Sequence, residues 1–336
     1  MIKELDLQLT NKCILKCKHC CCSSDFSQPL GHPIERWIDI VKDAKELGVE
    51  KIDITGGEPL LFKDLHKLTD TINNLRMSYE IQSTWLINNK ISSSHDHTYF
   101  ISIDGLKKNH DYYRGQGRFD KAIIKLKEII LKQSSETRIT TIVTKRNHED
   151  IEKILKLSGS LGVNHHAFFC FSPIGRGANI QEDWIKPLDH ISIYNRIFKY
   201  ISNANCKMPN KISFQLGYSE RNGPWKDKIQ CRAMENEFLF VLADGRVVPC
   251  SWYINTGVSL GNVFNVGLAE VFANSIQFLN GLKSRSKESC SECINWKVCQ
   301  GGCDAAKLIH RKPIDPRCQN PAEYFPGCPE KKVNFF

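Results

Sequence analysis

The sequence lacks the features that would place the protein in a membrane or outside the cell. No run of apolar residues approaches the roughly 18 to 20 that a membrane span requires. The first ten residues, MIKELDLQLT, alternate charged and apolar side chains, whereas a signal peptide has a continuous apolar segment there. There is also no internal repeat, low-complexity segment or flexible linker. We therefore predict a cytoplasmic protein that does not act at a membrane.

The sequence also has no basic run and no nucleic-acid-binding motif. Its 46 Lys and Arg residues outnumber its 37 Asp and Glu residues, which gives a formal net charge of +9. A surplus of this size indicates at most an anionic partner. We predict that nucleic acid is not a partner.

What the sequence has in excess is cysteine. Its 336 residues are 41% hydrophobic and 10% aromatic, so the chain can bury a large core and is not disordered. This length allows one large α/β domain or two smaller ones. The 15 cysteines are unusual for a cytoplasmic protein. Thiols stay reduced in that compartment, and close cysteine spacings there indicate metal or redox chemistry more often than disulfides.

The first half of the chain alternates β-branched runs with amphipathic patterns of helical period. Strands are predicted at residues 3–9, 50–54, 79–83, 99–103, 138–143 and 164–171. Helices are predicted at residues 33–47, 63–75, 118–132, 147–161 and 190–202. Repeated strand–helix units imply a parallel sheet, either open or curved into a barrel. The pattern itself leaves that choice open.

The last third of the chain has a different pattern. The segment SPIGRGAN, at residues 172–179, is predicted to be a loop, and from Cys231 onward cysteines, glycines and turns replace regular periodicity. Such a region has few periodic apolar residues with which to build a core. Bound metal would then supply part of its folding free energy.

Three cysteines follow the first predicted strand with the spacing C-x3-C-x2-C: Cys13, Cys17 and Cys20. Three thiolates on one loop can hold a single iron–sulfur cluster and leave one iron open to another ligand. Tetrahedral zinc needs a fourth ligand, which Cys21 or Cys22 would have to provide. The spacing favours the cluster.

The second predicted strand ends in Gly56-Gly57-Glu58-Pro59. The two glycines allow the backbone to approach a ligand closely. Glu58 lies at the C-terminal end of a parallel strand, where α/β proteins bind ligands. An ordinary strand–helix turn is the simpler interpretation, but the cysteine motif one strand earlier makes the combination specific.

Together these two motifs resemble those of radical S-adenosylmethionine (SAM) enzymes. The resemblance implies that Cys13, Cys17 and Cys20 hold a [4Fe-4S] cluster and that SAM binds the open iron. It also implies a partial (β/α)6 TIM-like barrel. The cofactor-binding residues that it implies in these motifs are Gly56, Gly57, Glu58 and Pro59 at the methionine amino group and His19 beside the adenine.

Two further segments are similar to motifs of the same family: SIDG at residues 102–105 and HDYYRG at residues 110–115. The resemblance implies that Ser102 and Asp104 lie near the ribose. It makes Arg114 a candidate for binding the cofactor carboxylate, which suits a guanidinium group. Alternatively, Asp104 and Arg114 only brace the loop.

The C-terminal cysteines are similar to the SPASM pattern of auxiliary iron–sulfur domains. By that resemblance one auxiliary cluster binds to Cys290, Cys293, Cys299 and Cys318. A second binds to Cys231, Cys250 and Cys303, with an open iron or a fourth ligand such as Cys206 or Cys328. The chain then divides into a radical SAM barrel at 1–180, a bridging helical segment at 181–230 and a SPASM domain with little regular structure at 231–336.

The resemblance implies an oxidoreductase that cleaves SAM to a 5′-deoxyadenosyl radical, which removes hydrogen from an unactivated carbon. The auxiliary clusters would accept an electron, so that a crosslink or other oxidation results, and flavodoxin or ferredoxin would supply the first electron. A redox-neutral epimerisation is the alternative if a thiol returns a hydrogen atom. The candidate hydrogen donors are Cys21, Cys22 and Cys170.

Two classes of substrate remain open. Family analogy favours a ribosomally made peptide, whereas a sugar or porphyrinoid is the small-molecule alternative. The first cluster cysteine follows only twelve residues, so we expect no N-terminal peptide-recognition domain. A separate recognition protein would then hold a peptide substrate. The non-enzymatic alternative is an iron–sulfur electron carrier, which would not need the GGEP segment.

Overall fold

Nine strands form one continuous sheet in the described part of the chain. The structure is a computed structural model that describes residues 2–84, 87, 97–131, 136–185, 187–203, 207–215, 231–290, 302–312 and 315. The strands are β1 (Glu4–Gln8), β2 (Lys51–Thr55), β3 (Ser78–Ser83), β4 (His97–Ser102), β5 (Glu136–Val143), β6 (His165–Cys170), β7 (Lys211–Gln215), β8 (Phe238–Val241) and β9 (Val247–Val248). Their order in the sheet is β7-β6-β5-β4-β3-β2-β1-β8-β9. All neighbours are parallel except β8 and β9.

Among the described residues, six helices lie between the strands along the chain, and three more follow the last strand. They are α1 (Ile34–Glu46), α2 (Leu65–Asn74), α3 (Lys107–Arg114), α4 (Arg118–Leu131), α5 (Ile151–Leu161), α6 (Pro187–Ser202), α7 (Val263–Val266), α8 (Leu268–Cys290) and α9 (Asp304–His310). None of the helices in the described ranges combines the length and apolar character that a membrane span needs.

The six predicted strands and their parallel order are confirmed. Strands β1 to β6 follow one another in both sequence and space, which is the arrangement of a partial barrel. Residues 211–215, which the sequence analysis had not identified as a strand, pair with β6 and extend the sheet. The predicted helices are also present, although α5 begins only at Ile151, after a 3-10 turn at His148–Asp150.

The core lies between the sheet and the first helices. Side chains alternate along a strand, and Leu5 and Leu7 of β1 are fully buried with Ile52 and Ile54 of β2. Trp37 of α1 is buried in the same cluster. The opposite face of β1 carries Glu4, Asp6 and Gln8, so the inner face of the barrel is polar.

The chain after residue 231 contains more regular structure than the sequence analysis expected. Helix α8 has 23 residues. Its buried side chains recur at helical spacing, as Leu268, Val271, Ser275, Leu279 and Leu282. The cysteines and glycines on either side of this stretch obscure that period in the sequence. Strand β8 pairs in parallel with β1, so this part of the chain extends the sheet of the barrel.

Helix α4 offers a matched test of the core. Leu126 is fully buried, whereas Leu131 is 80% exposed. We expect Leu126→Ala to lower the free energy of unfolding by about 2 to 5 kcal/mol, because it leaves a cavity. Leu131→Ala should change it by less than about 0.5 kcal/mol. Urea denaturation of the metal-free protein measures both, and equal effects would contradict the placement of α4.

Candidate functional site

The first three cysteines lie on an irregular loop at the C-terminal end of β1. Cys13 is 7% exposed, and its backbone N–H donates to the carbonyl oxygen of Asp25 at 2.9 Å. The N–H of Cys20 donates to the carbonyl of Cys17 at 3.3 Å. The N–H of Leu15 lies 3.4 Å from Cys13 Sγ. We call residues 10–25 the cysteine loop.

The spacing of the sulfur atoms fits a cluster better than a single ion. No three of the described cysteines bring their sulfur atoms within 4.8 Å of one another. Four thiolates around one zinc would place the sulfur atoms about 3.8 Å apart, given a bond of about 2.3 Å. A cluster binds each thiolate to a different iron, so its ligands lie farther apart. The donor set therefore fits the iron–sulfur group.

Burial keeps these thiols protonated until a metal binds. It raises the pKa of Cys13 to about 12 and also raises the pKa of Cys17 and Cys20. Only the thiolate is a good metal ligand, so binding must release protons.

The two glycines after β2 lie against the backbone of the segment that follows β1. A Cβ atom on Gly57 would lie 2.3 Å from the carbonyl oxygen of Lys12, and one on Gly56 would lie 2.8 Å from that of Thr10. The N–H of Gly57 donates to the Thr10 carbonyl at 2.6 Å, and the N–H of Glu58 donates to the Lys12 carbonyl at 2.8 Å. The glycines thus allow the turn to hold the segment that leads into Cys13.

The Glu58 carboxylate is fully buried and accepts four hydrogen bonds from the protein. Its Oε1 accepts from the Leu60 N–H at 3.1 Å and the Ser83 hydroxyl at 2.6 Å. Its Oε2 accepts from the N–H and hydroxyl of Thr84 at 3.0 and 2.5 Å. Burial raises the pKa of Glu58, although these bonds oppose the shift. Pro59 begins the 3-10 turn that follows.

Three of the predicted cofactor residues meet one another. The Asp104 Oδ2 atom lies 2.5 Å from Arg114 Nε and 3.1 Å from His19 Nε2. Burial alone would raise the pKa of Asp104, but Arg114 and His19 lower it well below its usual range. The Asp104 side chain is 1% exposed, and removing one partner of such a buried pair costs about 3 to 5 kcal/mol. The contacts shown are those of a brace between the cysteine loop, β4 and α3.

Other polar groups complete this brace. Asp104 Oδ1 accepts from the Ile142 N–H at 2.9 Å, and the Asn147 side chain donates to the Asp104 carbonyl at 2.8 Å. Ser102 Oγ lies 3.4 Å from the hydroxyl of Thr140. His19 Nδ1 is buried and, within the described residues, has no hydrogen-bond partner.

The sequence analysis missed Ser83, Thr84 and Asn147. Ser83 ends β3, and Thr84 follows it directly. Their position at the C-terminal edge of a parallel strand was the available signal, since this is where ligand-binding groups gather.

The remaining candidate cysteines differ in their surroundings. Cys21 and Cys22 follow the third ligand candidate, and their sulfur atoms lie 3.6 Å apart. Cys170 is buried in an apolar cluster with Phe168 and with residues of α5 and α6. The alternation along β6 turns this thiol towards the helix layer. The prediction of Cys170 as a hydrogen donor is therefore not supported. The surroundings of Cys170 are those of a small buried hydrophobe.

Three cysteines of the second motif come together. Burial raises the pKa of Cys250 well above its ordinary value, and the nearby thiols of Cys303 and Cys231 raise it further. Cys250 follows β9 and Cys303 precedes α9. Cys290 ends α8, whereas the other predicted ligands and the two candidates for a fourth ligand lie outside the described residues: Cys293, Cys299, Cys318, Cys206 and Cys328.

An acidic group on the inner face of the barrel is the one set in the described ranges whose ligand atoms all lie within 4.8 Å: Glu4, Asp6 and Asp53. Lys51 Nζ lies 3.6 Å from Glu4 and 3.2 Å from Asp53. Arg232 lies 2.5 Å from Glu4. Burial raises the pKa of Asp6 and Asp53 well above the usual range. Because the protein supplies its own cations and protons here, we assign no metal ion to this group.

Comparison with known proteins identifies two domains. A profile of the radical SAM superfamily matches residues 7–158. A profile described as an iron–sulfur cluster-binding domain, SPASM, matches residues 231–294. The family and fold class predicted from the sequence are thereby confirmed.

Individual relatives are distant but cover most of the chain. Mycofactocin maturase MftC from Mycobacterium tuberculosis (strain CDC 1551 / Oshkosh) is 25% identical over 94% of this chain and 82% of that protein. An AdoMet-dependent heme synthase from Methanosarcina barkeri (strain Fusaro / DSM 804) is 27% identical over 88% and 89%. The structure of Streptococcus suis SuiB bound to its precursor peptide SuiA matches with a TM-score of 0.80, at 21% identity over 95% and 76%. The last similarity shows a shared fold.

The contact between Gly57 and Lys12 can be tested with two alanine variants. Gly57→Ala must displace the backbone that leads into Cys13, at a cost of about 1 to 3 kcal/mol. Gly162→Ala has open space but a φ of +83°, so it should cost about 1 kcal/mol through backbone strain. We expect only Gly57→Ala to lose iron after anaerobic reconstitution and desalting. Equal iron content in both variants would contradict the role of this contact.

Proposed function

Because the chain belongs to the radical SAM superfamily and carries a SPASM iron–sulfur domain, we propose that it is an oxidoreductase that uses SAM to modify a peptide by radical chemistry. The observation that carries this proposal is the cysteine loop, joined by backbone hydrogen bonds to the glycine-rich turn after β2. An iron–sulfur electron carrier would have no use for this second element.

In this proposal Cys13, Cys17 and Cys20 hold a [4Fe-4S] cluster. A cluster held there would supply the electron for cleavage of SAM to a 5′-deoxyadenosyl radical, whose chemistry would be removal of a hydrogen atom from an unactivated carbon. Selection of that carbon rests on proximity, since the reacting atoms must approach to about 3 to 3.5 Å. The protein's task is therefore to orient SAM and substrate and to exclude water.

The residues around the cysteine loop have distinct tasks in SAM binding. Glu58 accepts a hydrogen bond from the methionine amino group. This donor would take the place of one of the four protein donors that now bond to the carboxylate. Gly56, Gly57 and Pro59 shape the turn that presents Glu58. His19 and Ser102 face the nucleoside, and Asp104 and Arg114 hold His19 and the loop in place.

The second cysteine set serves auxiliary clusters. Cys231, Cys250 and Cys303 form one site, and the proximity of their thiols supports it. Cys290, Cys293, Cys299 and Cys318 form the other, by the SPASM pattern. Clusters held there would supply an electron acceptor for the substrate radical, so the net reaction would be an oxidation such as a crosslink.

A ribosomally made peptide is the substrate we favour. The support is the maturase among the relatives and a structural neighbour bound to a precursor peptide. A porphyrinoid is the second candidate, because the heme synthase is also a relative over most of the chain. A short open reading frame beside the gene would favour the peptide, and a tetrapyrrole pathway would favour the second candidate.

Cys21 and Cys22 remain candidate hydrogen donors for an epimerisation, because they lie in the cysteine loop directly after Cys20. Cys170 does not, since its thiol lies in an apolar cluster. A flavodoxin or ferredoxin as reductant, a separate peptide-recognition protein, a cytoplasmic location and domain limits at 180 and 230 also remain predictions.

The proposed reaction predicts cleavage of SAM without any peptide. Reconstituted, reduced wild-type protein should form 5′-deoxyadenosine, which chromatography measures. Cys17→Ala should reduce this product by at least about a hundredfold, because the cluster loses a ligand. Cys170→Ala is the matched control and should retain it. Absence of 5′-deoxyadenosine from the wild type would contradict the proposed enzyme.

The number of clusters is a separate prediction. Three [4Fe-4S] clusters correspond to about twelve irons per chain. We expect Cys250→Ala to lose auxiliary iron while the signal that responds to SAM in electron paramagnetic resonance (EPR) persists. About four irons in the wild type would contradict the auxiliary sites and leave the first site intact.

A further inference from the structure

The side chain of Arg176 lies across the cysteine loop, although it comes from the segment between β6 and α6. Its Nε donates to the carbonyl of Cys17 at 2.9 Å, and its Nη2 donates to the carbonyl of Ser24. Its Nη1 lies 3.8 Å from Asp25 Oδ2. The side chain is 16% exposed, so these contacts are largely shielded from water. One guanidinium thus contacts the loop at three points.

The backbone before Arg176 is also fitted to the loop. Gly175 has a φ of +56°, and a Cβ atom there would lie 2.2 Å from the carbonyl oxygen of Cys21 and 2.6 Å from that of Cys20. The N–H of Arg176 donates to the Cys20 carbonyl at 3.0 Å. Only glycine permits this approach, so the position of Arg176 on the loop is fixed by the backbone as well as by its side chain.

These contacts reach all three proposed ligands. Arg176 binds the carbonyls of Cys17 and Cys20 directly. It reaches Cys13 through Asp25, whose carbonyl accepts the N–H of Cys13 at 2.9 Å. Regular backbone pairing within the loop is confined to one isolated bridge between Lys12 and Asp25. A planar guanidinium with five donors in a fixed fork suits the task better than a lysine would.

The charge of Arg176 has a second consequence. Three thiolates and a cluster make a site whose reduction adds negative charge to a buried region. A fixed cation at the ligands' carbonyls favours the reduced form, and charge and hydrogen bonding are the main controls on cluster potential. The Asp25 carboxylate offsets part of this charge, but it also accepts hydrogen bonds from the N–H and hydroxyl of Ser27 and lies 3.8 Å from Lys16 Nζ.

We propose that Arg176 is a positioning residue that holds the cysteine loop in its ligating shape and raises the reduction potential of the cluster bound there. The effect on the reduction potential rests on the proposed function, whereas the effect on the shape of the loop does not. The sequence analysis assigned this residue to an ordinary loop, so nothing in the motifs had identified it.

Three variants separate shape from charge. Arg176→Lys keeps the charge and loses the fork, and Arg176→Gln loses the charge. Arg196→Gln is the matched control, because Arg196 also donates to a backbone carbonyl, that of His148, and pairs with Glu152 away from the cysteine loop. Hydrogen exchange of residues 13–25 in the metal-free protein reports the shape. A redox titration of the EPR signal that responds to SAM reports the potential.

We expect exchange within residues 13–25 to be at least about fivefold faster in both Arg176 variants and unchanged in Arg196→Gln. The potential should fall in Arg176→Gln and stay close to the wild-type value in Arg176→Lys. Unchanged exchange in both Arg176 variants would overturn the positioning role, and equal potentials in the two would overturn the charge role. If Arg176→Gln does not fold, exchange in Arg176→Lys still decides the first point. If the wild type holds no cluster, the proposed function fails while the exchange result stands.

Discussion

The site depends on one close approach between two stretches of backbone. The turn after β2 donates N–H groups from Gly57 and Glu58 to the carbonyls of Thr10 and Lys12, at 2.6 and 2.8 Å. No side chain fits at Gly57, because a Cβ atom would overlap the Lys12 carbonyl. This contact fixes where the cysteine loop begins. It also fixes the loop relative to Glu58, whose own carboxylate is held by groups at the end of β3. Three neighbouring strands thereby determine the position of Cys13.

Electrostatics then determine how the rest of the loop is held. Burial raises the pKa of the Cys17 thiol, and Arg114 and Arg176 oppose that shift from two different elements. Arg114 is itself neutralised by Asp104 at 2.5 Å, which also contacts His19 in the loop. A buried cation and a buried anion stabilise each other here only because both are present. Such a brace contributes little net stability, but removing either partner leaves an unpaired buried charge.

Much of this could be predicted from the sequence, and the omissions have physical causes. Periodicity gave the six parallel strands, because a buried sheet and an amphipathic helix impose periods of two and 3.6 residues. Glycine at position 57 correctly indicated a close approach, but composition does not say what approaches, and the partner proved to be Lys12. The pairing of strands brings Ser83, Thr84 and Arg176 to the site from parts of the chain that are distant in sequence, so no local motif contains them. The apolar residues of helix α8 recur at helical spacing in the sequence, but the cysteines that follow the helix obscure this pattern.

Strand β1 connects the two cysteine sets. Its C-terminal end leads into Cys13, and its edge pairs in parallel with β8, from Glu4 with Phe238 to Leu7 with Val241. The hairpin of β8 and β9 leads directly to Cys250, and Arg232, beside Cys231, lies 2.5 Å from Glu4. The two sets are therefore attached to the same strand by a fixed register and not by a hinge. A register is a discrete property, and slipping it by one residue would turn every side chain of β8 to the opposite face. The position of Cys250 relative to Cys13 is thus as well defined as the sheet itself.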